Sequence, residues 1–141
     1  GRIKGEVCHF VDLLRFIADC SIMDYQIKYM DNLTKDTVSV QLYFKDGSIG
    51  TIHYFANGSS DYPKEKLEIF VEGKILILDN FRKLTGYGWP NFKKMNLWKQ
   101  DKGQNTCIKA FIKSINEGSA SPIPIEEIFE ISKISIDLAN Q

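Results

Sequence analysis

Between Glu6 and Ala18 the apolar residues Val7, Phe10, Val11, Leu14 and Ile17 recur at three- and four-residue steps, which predicts one face of a helix. Leu13 and Phe16 widen that face, so the helix should be mostly covered, with a narrow polar edge of Glu6, His9, Asp12 and Arg15. The period then drops to two. Tyr25, Ile27 and Tyr29 alternate with polar neighbours, and Val38, Val40, Leu42 and Phe44 alternate with Ser39, Gln41 and Tyr43. Asp46-Gly47 turns the chain into a third strand, Ile49 to Ala56. With Gly47 left-handed in a three-residue bulged loop, Leu42 is expected to face Ile52, Val40 to face Tyr54, and Gln41 to face His53.

Leu67 to Glu72 and Lys74 to Asp79 read as a second strand pair around Gly73, and Phe92 to Lys99 as a weaker strand. The glycines and proline of Thr85 to Pro90 predict a loop, as does Ala56 to Pro63. After Asp101, a candidate cap, Cys107, Ile108, Phe111, Ile112 and Ile115 form a helical stripe ending before Gly118. Pro122 and Pro124 lead into a last helix, opened by Glu126 and Glu127 and apolar nearly all round, which should pack on two sides. Strands joined by short turns between terminal helices predict an α+β fold. The expectation is one domain over residues 1–141, with a mostly antiparallel mixed sheet of about five or six strands and the helices on one face.

Eighteen basic and 18 acidic residues cancel, which argues against nucleic acid or an anionic membrane as partner. The longest apolar run, near Ile75 to Leu78, is too short to span a bilayer. Three cysteines (Cys8, Cys20 and Cys107) without C-x-x-C spacing indicate neither a disulfide framework nor a metal site. Cys8 and Cys107 lie on apolar stripes and are expected to be buried, in keeping with a reducing cytoplasm. The chain starts without methionine or signal-peptide pattern, and reads as part of a longer polypeptide. It holds no glycine-rich strand–helix turn, so it should not bind a dinucleotide by itself.

Candidate chemistry centres on His9, three residues after Glu6 and three before Asp12, so that all three project from neighbouring parts of one helix. An imidazole beside two carboxylates can serve as a general acid/base, and carboxylates also accept sugar hydroxyls. The same spacing also fits a packing or capping histidine with two solvated acids. His53 reads as a surface or subunit-interface residue more than a site residue. Tyr87, Trp89 and Trp98 could line a sugar cleft or act as packing anchors. The lysines Lys64, Lys66, Lys93, Lys94 and Lys99 look like solvated faces.

The stretch Gly5-Glu6-Val7-Cys8-His9-Phe10-Val11-Asp12-Leu13-Leu14-Arg15-Phe16 resembles the motif that opens the C-terminal domain of the glucose-fructose oxidoreductase / inositol dehydrogenase / rhizopine-catabolism (Gfo/Idh/MocA) family. Ser60 to Phe70, Leu78 to Arg82, Asp101 to Gln104 and Pro122 to Glu127 resemble later segments of that domain, so the likeness runs to about Leu138. The resemblance implies a glyceraldehyde-3-phosphate-dehydrogenase-like C-terminal domain, with substrate held between it and an N-terminal Rossmann domain that binds NAD or NADP. It implies His9 as proton relay, Asp12 as the acid that helps set the substrate or the histidine, and no metal; Glu6, as an acceptor for sugar hydroxyls, is expected to bind substrate beside them. It further implies a sugar, polyol or nucleotide-sugar substrate and a homo-oligomer formed through the open sheet face, where Gln41, Tyr43, Thr51 and His53 would lie. Many members carry aspartate four residues before the histidine, and here that position is Gly5. The rival expectation is a non-catalytic, sheet-mediated assembly module with a decayed site.

Overall fold

A computed structural model describes residues 2–31, 33 and 35–141. The chain forms two compact units, Gly1–Asn57 with Ala120–Gln141, and Gly58–Ser119. The first unit opens with a π-helical turn, Ile3–Val7, continued by α1 (Cys8–Ala18). Three strands follow: β1 (Ile22–Tyr29), β2 (Thr37–Phe44) and β3 (Ile49–Phe55), and α3 (Ile125–Ala139) completes the unit. The second unit holds β4 (Lys66–Val71), β5 (Lys74–Asp79), β6 (Lys83–Tyr87), β7 (Lys94–Asn96) and α2 (Gln104–Glu117). Among the described residues no helix is long and apolar enough to cross a membrane.

The α+β class and the antiparallel pairing are as the sequence predicts. Among the described residues the strands number seven, and they hydrogen-bond as two ladders, β1-β2-β3 and β4-β5-β6-β7. The additional strand is β6, which includes Thr85, Gly86 and Tyr87 from the expected loop. Gly86 is there for packing: a Cβ would sit 2.7 Å from Phe92 Cδ1 and 3.1 Å from Trp89 Cδ1, so only glycine lets those rings lie over the strand. Paired to Leu76 on β5, it also donates its N–H to the Lys93 carbonyl at 2.8 Å.

The β2–β3 loop is Lys45-Asp46-Gly47, closed by Phe44 N–H to Ser48 O at 2.9 Å, with Gly47 left-handed at φ +89°. The expected loop type is present, but the register differs from expectation by two residues. Val40 pairs with Ile52, Leu42 with Gly50, Val38 with Tyr54, and His53 with Ser39 in place of Gln41. A three-residue loop closes at Phe44 and Ser48, and that closure fixes every later pair. Because the slip is even, the inward set is unchanged.

That inward set makes the core. Val38, Val40, Leu42 and Phe44 of β2 pack with Ile27 and Ile52, Val7 and Val11 of the N-terminal helix, and Ile131, Ile134 and Leu138 of α3. Burying each such side chain contributes on the order of 1.5–3 kcal/mol. The last helix is packed on this side, while Ile125, Phe129 and Ile136 on its other side are exposed, so the expected second contact is absent within the described residues. In the second unit the apolar stripe of α2 is likewise exposed, and with it Cys107, contrary to the expectation of a buried thiol. Asp101 does not cap α2. Gly103 holds that position, and Asp101 Oδ1 accepts the Gly103 N–H at 2.8 Å within the preceding turn.

Candidate functional site

His9 sits in the first turn of α1, directly after the π-helical turn. The helix is fixed from the opposite side. Val7 and Val11 are wholly buried, and the backbone at Gly50 of β3 admits Leu14, since a Cβ there would lie 2.9 Å from Leu14 Cδ1. Arg15, expected on the polar edge, is instead buried. Its Nε lies 3.1 Å from Glu130 Oε2 and its guanidinium 3.5 Å from Glu127 Oε1, both on α3. The second oxygen of Glu130 accepts the Ile22 N–H at 2.6 Å, tying the start of β1 to the same carboxylate. A charge taken from water needs this many partners to be tolerated.

Glu6, His9 and Asp12 are all exposed. Among the described residues no hydrogen bond or ion pair joins the imidazole to either carboxylate. The two acids are not equivalent in placement. Asp12 keeps α-helical spacing from His9, whereas Glu6 lies in the π-helical turn, where Cys8 N–H bonds back to Ile3 O and each residue advances by a smaller angle. Glu6 is therefore rotated away from the simple i, i+3 relation that its spacing predicts. Phe16, four residues beyond Asp12, was expected to be covered but is 76% exposed. His9, Asp12 and Phe16 thus share one open edge at the i, i+3, i+7 spacing. That grouping was readable in the spacing, had Phe16 been assigned to the polar edge.

Cys8, adjacent to His9, donates its S–H to the Lys4 carbonyl at 3.0 Å, and partial burial raises its pKa. A raised pKa disfavours the thiolate, which is the nucleophilic form. His53 lies on the outer face of the β1–β3 sheet, its Nδ1 2.9 Å from Ser39 Oγ and its ring 5.3 Å from that of Phe55.

The second unit holds two adjoining cavities, of about 840 Å³ and 310 Å³, which share Pro63, Asp79 and Lys83. Trp98 borders the larger and Tyr87 the smaller. Trp89 belongs to neither wall: its Nε1–H bonds to the Ile75 carbonyl at 3.1 Å under Lys74, as a packing anchor does. Of the expected solvated lysines, Lys66 pairs with Glu68 at 2.7 Å, which raises its pKa. Among the described residues no group of His, Cys, Asp and Glu is placed to hold a metal ion.

No family model matches the chain, and no curated protein matches it. Its fold is similar to solved structures. Two crystal forms of UDP-N-acetylglucosamine 3-dehydrogenase GnnA from Acidithiobacillus ferrooxidans match with TM-scores of 0.75 and 0.78 at 14% and 13% identity. Dehydrogenase MviM from Clostridium difficile matches with a TM-score of 0.78 at 19% identity. These alignments take in 93%, 94% and 96% of this chain, which spans less than half the length of each neighbour: 44%, 44% and 46%. At such identity the likeness establishes the fold.

Proposed function

We propose that the chain is the C-terminal substrate-binding and dimerisation domain of a Gfo/Idh/MocA-type, NAD(P)-dependent sugar or polyol dehydrogenase, with His9 as its proton relay. The observation that carries this reading is the exposed His9–Asp12–Phe16 edge on a helix whose other side is held by Arg15, Val7 and Val11. A base works when it is held in place by its scaffold and open to substrate, and His9 has both properties. The fold shared with two dehydrogenases, one of them named for a nucleotide-sugar, supports the same class.

In this reading His9 takes the proton of the substrate hydroxyl during oxidation and returns one during reduction. Asp12 receives a neighbouring hydroxyl, and Phe16 offers an apolar face to the ring carbons or to the adjoining domain. Glu6 is the weaker of the two acidic candidates, because the π-helical turn rotates it away from His9. The described strands are all antiparallel, with no glycine-rich strand–helix turn for a pyrophosphate. A nicotinamide dinucleotide, which would accept the hydride, is therefore assigned to a separate nucleotide-binding domain, and this piece alone is inactive. A cytoplasmic location accords with this chemistry.

A specific observation favours the second reading, an assembly module with a decayed site. Nothing lies within 4 Å of where a Gly5 Cβ would project, so packing does not explain the loss of the aspartate that many members carry there. Assay of the full-length protein with nicotinamide cofactors and a panel of sugars, polyols and nucleotide-sugars separates the two. Turnover is expected from a dehydrogenase; self-association without turnover on any of them supports the module.

A further inference from the structure

The hairpin between β5 and β6 ends in backbone strain. Asn80 and Phe81 are both left-handed, at φ +51° and +48°. Asparagine adopts that conformation readily, whereas phenylalanine does so only where its surroundings impose it. Residues 97–101 impose it here. Gln100 Nε2 donates to the carbonyl and to Oδ1 of Asn80, both at 2.9 Å. The Asp101 N–H donates to the Phe81 carbonyl at 3.1 Å, and the Leu97 N–H to the Arg82 carbonyl at 2.8 Å. Trp98 belongs to that clamping segment, so its position and that of Arg82 are fixed together, and both line the cavity of about 840 Å³.

The ladder beneath continues the site. Lys66, Asp79, Lys83 and Asn96 pair in one row, in the order base, acid, base, amide. Lys66 is engaged by Glu68 of its own strand. Among the described residues no carboxylate lies within ion-pair distance of Arg82 or Lys83, which leaves two cations against the single acid Asp79. The smaller cavity shares Asp79 and Lys83 with the larger and adds Tyr87. Tyr87 stands on the same face of β6 as Lys83, four residues on, about 13 Å away at the rise of a strand. The joined cleft thus has an aromatic ring toward each end, Trp98 94% exposed and Tyr87 55%, with the charged groups between.

Each feature selects a ligand property. Exposed aromatic faces take the flat side of a ring, and the span from Lys83 to Tyr87 is longer than one sugar ring. The unpaired guanidinium and ammonium favour an anionic group. Asp79 and the Asn96 amide suit hydroxyls, and Asp79 opposes a ligand with a phosphate at every unit, which disfavours a nucleic-acid strand. The geometry points to a binding site for an acidic oligosaccharide, its rings on Trp98 and Tyr87 and a carboxylate on Arg82 and Lys83. This site lies wholly in the second unit, and the inference stands without the His9 reading.

Isothermal titration calorimetry of the full-length protein tests it, with trigalacturonate and a hyaluronan tetrasaccharide as probes and the methyl ester of trigalacturonate and UDP as counterparts. At least one acidic saccharide is expected to bind, less tightly as salt is raised. The ester, with the same rings and no charge, is expected to bind on the order of tenfold more weakly than its acid. Arg82→Gln should remove that advantage of acid over ester, and Trp98→Ala should weaken both about tenfold. Binding of neither saccharide overturns the inference, as does binding indifferent to both Arg82→Gln and Trp98→Ala. An acid that binds no better than its ester overturns the role of the cations. UDP binding tighter than either saccharide and sensitive to both variants overturns the saccharide in favour of a nucleotide.

Discussion

Gly5 is a helical residue with open space around it and no left-handed backbone to require a glycine. Replacing it with alanine removes unfolded-chain freedom at no steric cost, so Gly5→Ala should stabilise the fold by about 0.5–1 kcal/mol, read from the denaturation midpoint. A destabilised variant would mean that the π-helical turn depends on glycine. Tyr25 offers a pH-dependent counterpart. Its hydroxyl donates to Asp137 Oδ2 at 2.8 Å, and this bond, with lesser contributions from burial and the carboxylate charge, raises its pKa. A raised tyrosine pKa favours the neutral form in the fold. Its contribution is full below the ordinary tyrosine value of about 10 and is lost as pH rises from there through the raised value. The stability difference between the parent chain and Tyr25→Phe should therefore be constant near neutrality and shrink in alkali, as followed by urea unfolding at a series of pH values. Residue identities showed some of this and hid the rest. Arginine at position 15 fits a polar edge by type, and only the carboxylates of Glu127 and Glu130, more than a hundred residues away, make its burial tolerable.

The elements themselves were largely legible because apolar spacing reports burial directly. The alternation over Val38 to Phe44 and the three- and four-residue steps from Val7 to Leu14 each matched one covered face. Pairing register was less so, since it depends on which residues close a loop: Phe44 with Ser48 sets Val40 against Ile52. Glycine misled at Gly86, where the sequence shows a flexible residue and the fold uses its missing side chain to seat Phe92 and Trp89. The element that carries His9 depends on the Arg15–Glu130–Ile22 junction with α3 and β1. Glu130→Ala leaves the guanidinium with one partner at 3.5 Å and strips the Ile22 N–H of its acceptor, for a cost of about 3 kcal/mol in denaturant unfolding. A loss below about 1 kcal/mol would show that the junction is not what anchors α1.

At the scale of the whole molecule, every buried apolar side chain among the described residues belongs to the first unit, from Ile3 to Leu138. The strands of β4–β7 are hydrogen-bonded, yet none of their apolar residues reaches the full burial of the first unit's core. Opening such a ladder exposes less apolar surface per residue than opening β1–β3. In this 141-residue chain the amides of Leu76 and Leu78 should exchange with solvent faster than those of Val40 and Leu42, by roughly tenfold or more in hydrogen-exchange experiments. Equal protection would mean that the two ladders open as one cooperative body. The division into two ladders was not visible in the sequence, because strand pattern states which residues are covered and leaves open which neighbours supply the cover. The catalytic reading was legible only as far as one helix edge. His9 and Asp12 stand together there, and the proposed function assigns the surfaces that complete a site to a separate domain.

The most direct test is therefore steady-state turnover by the full-length protein with His9→Asn, which keeps the size of the side chain and removes the proton-accepting ring nitrogen. The account predicts that kcat falls on the order of 100-fold or more while KM for the substrate changes little. Turnover equal to that of the parent protein would contradict it and leave the chain as an assembly domain.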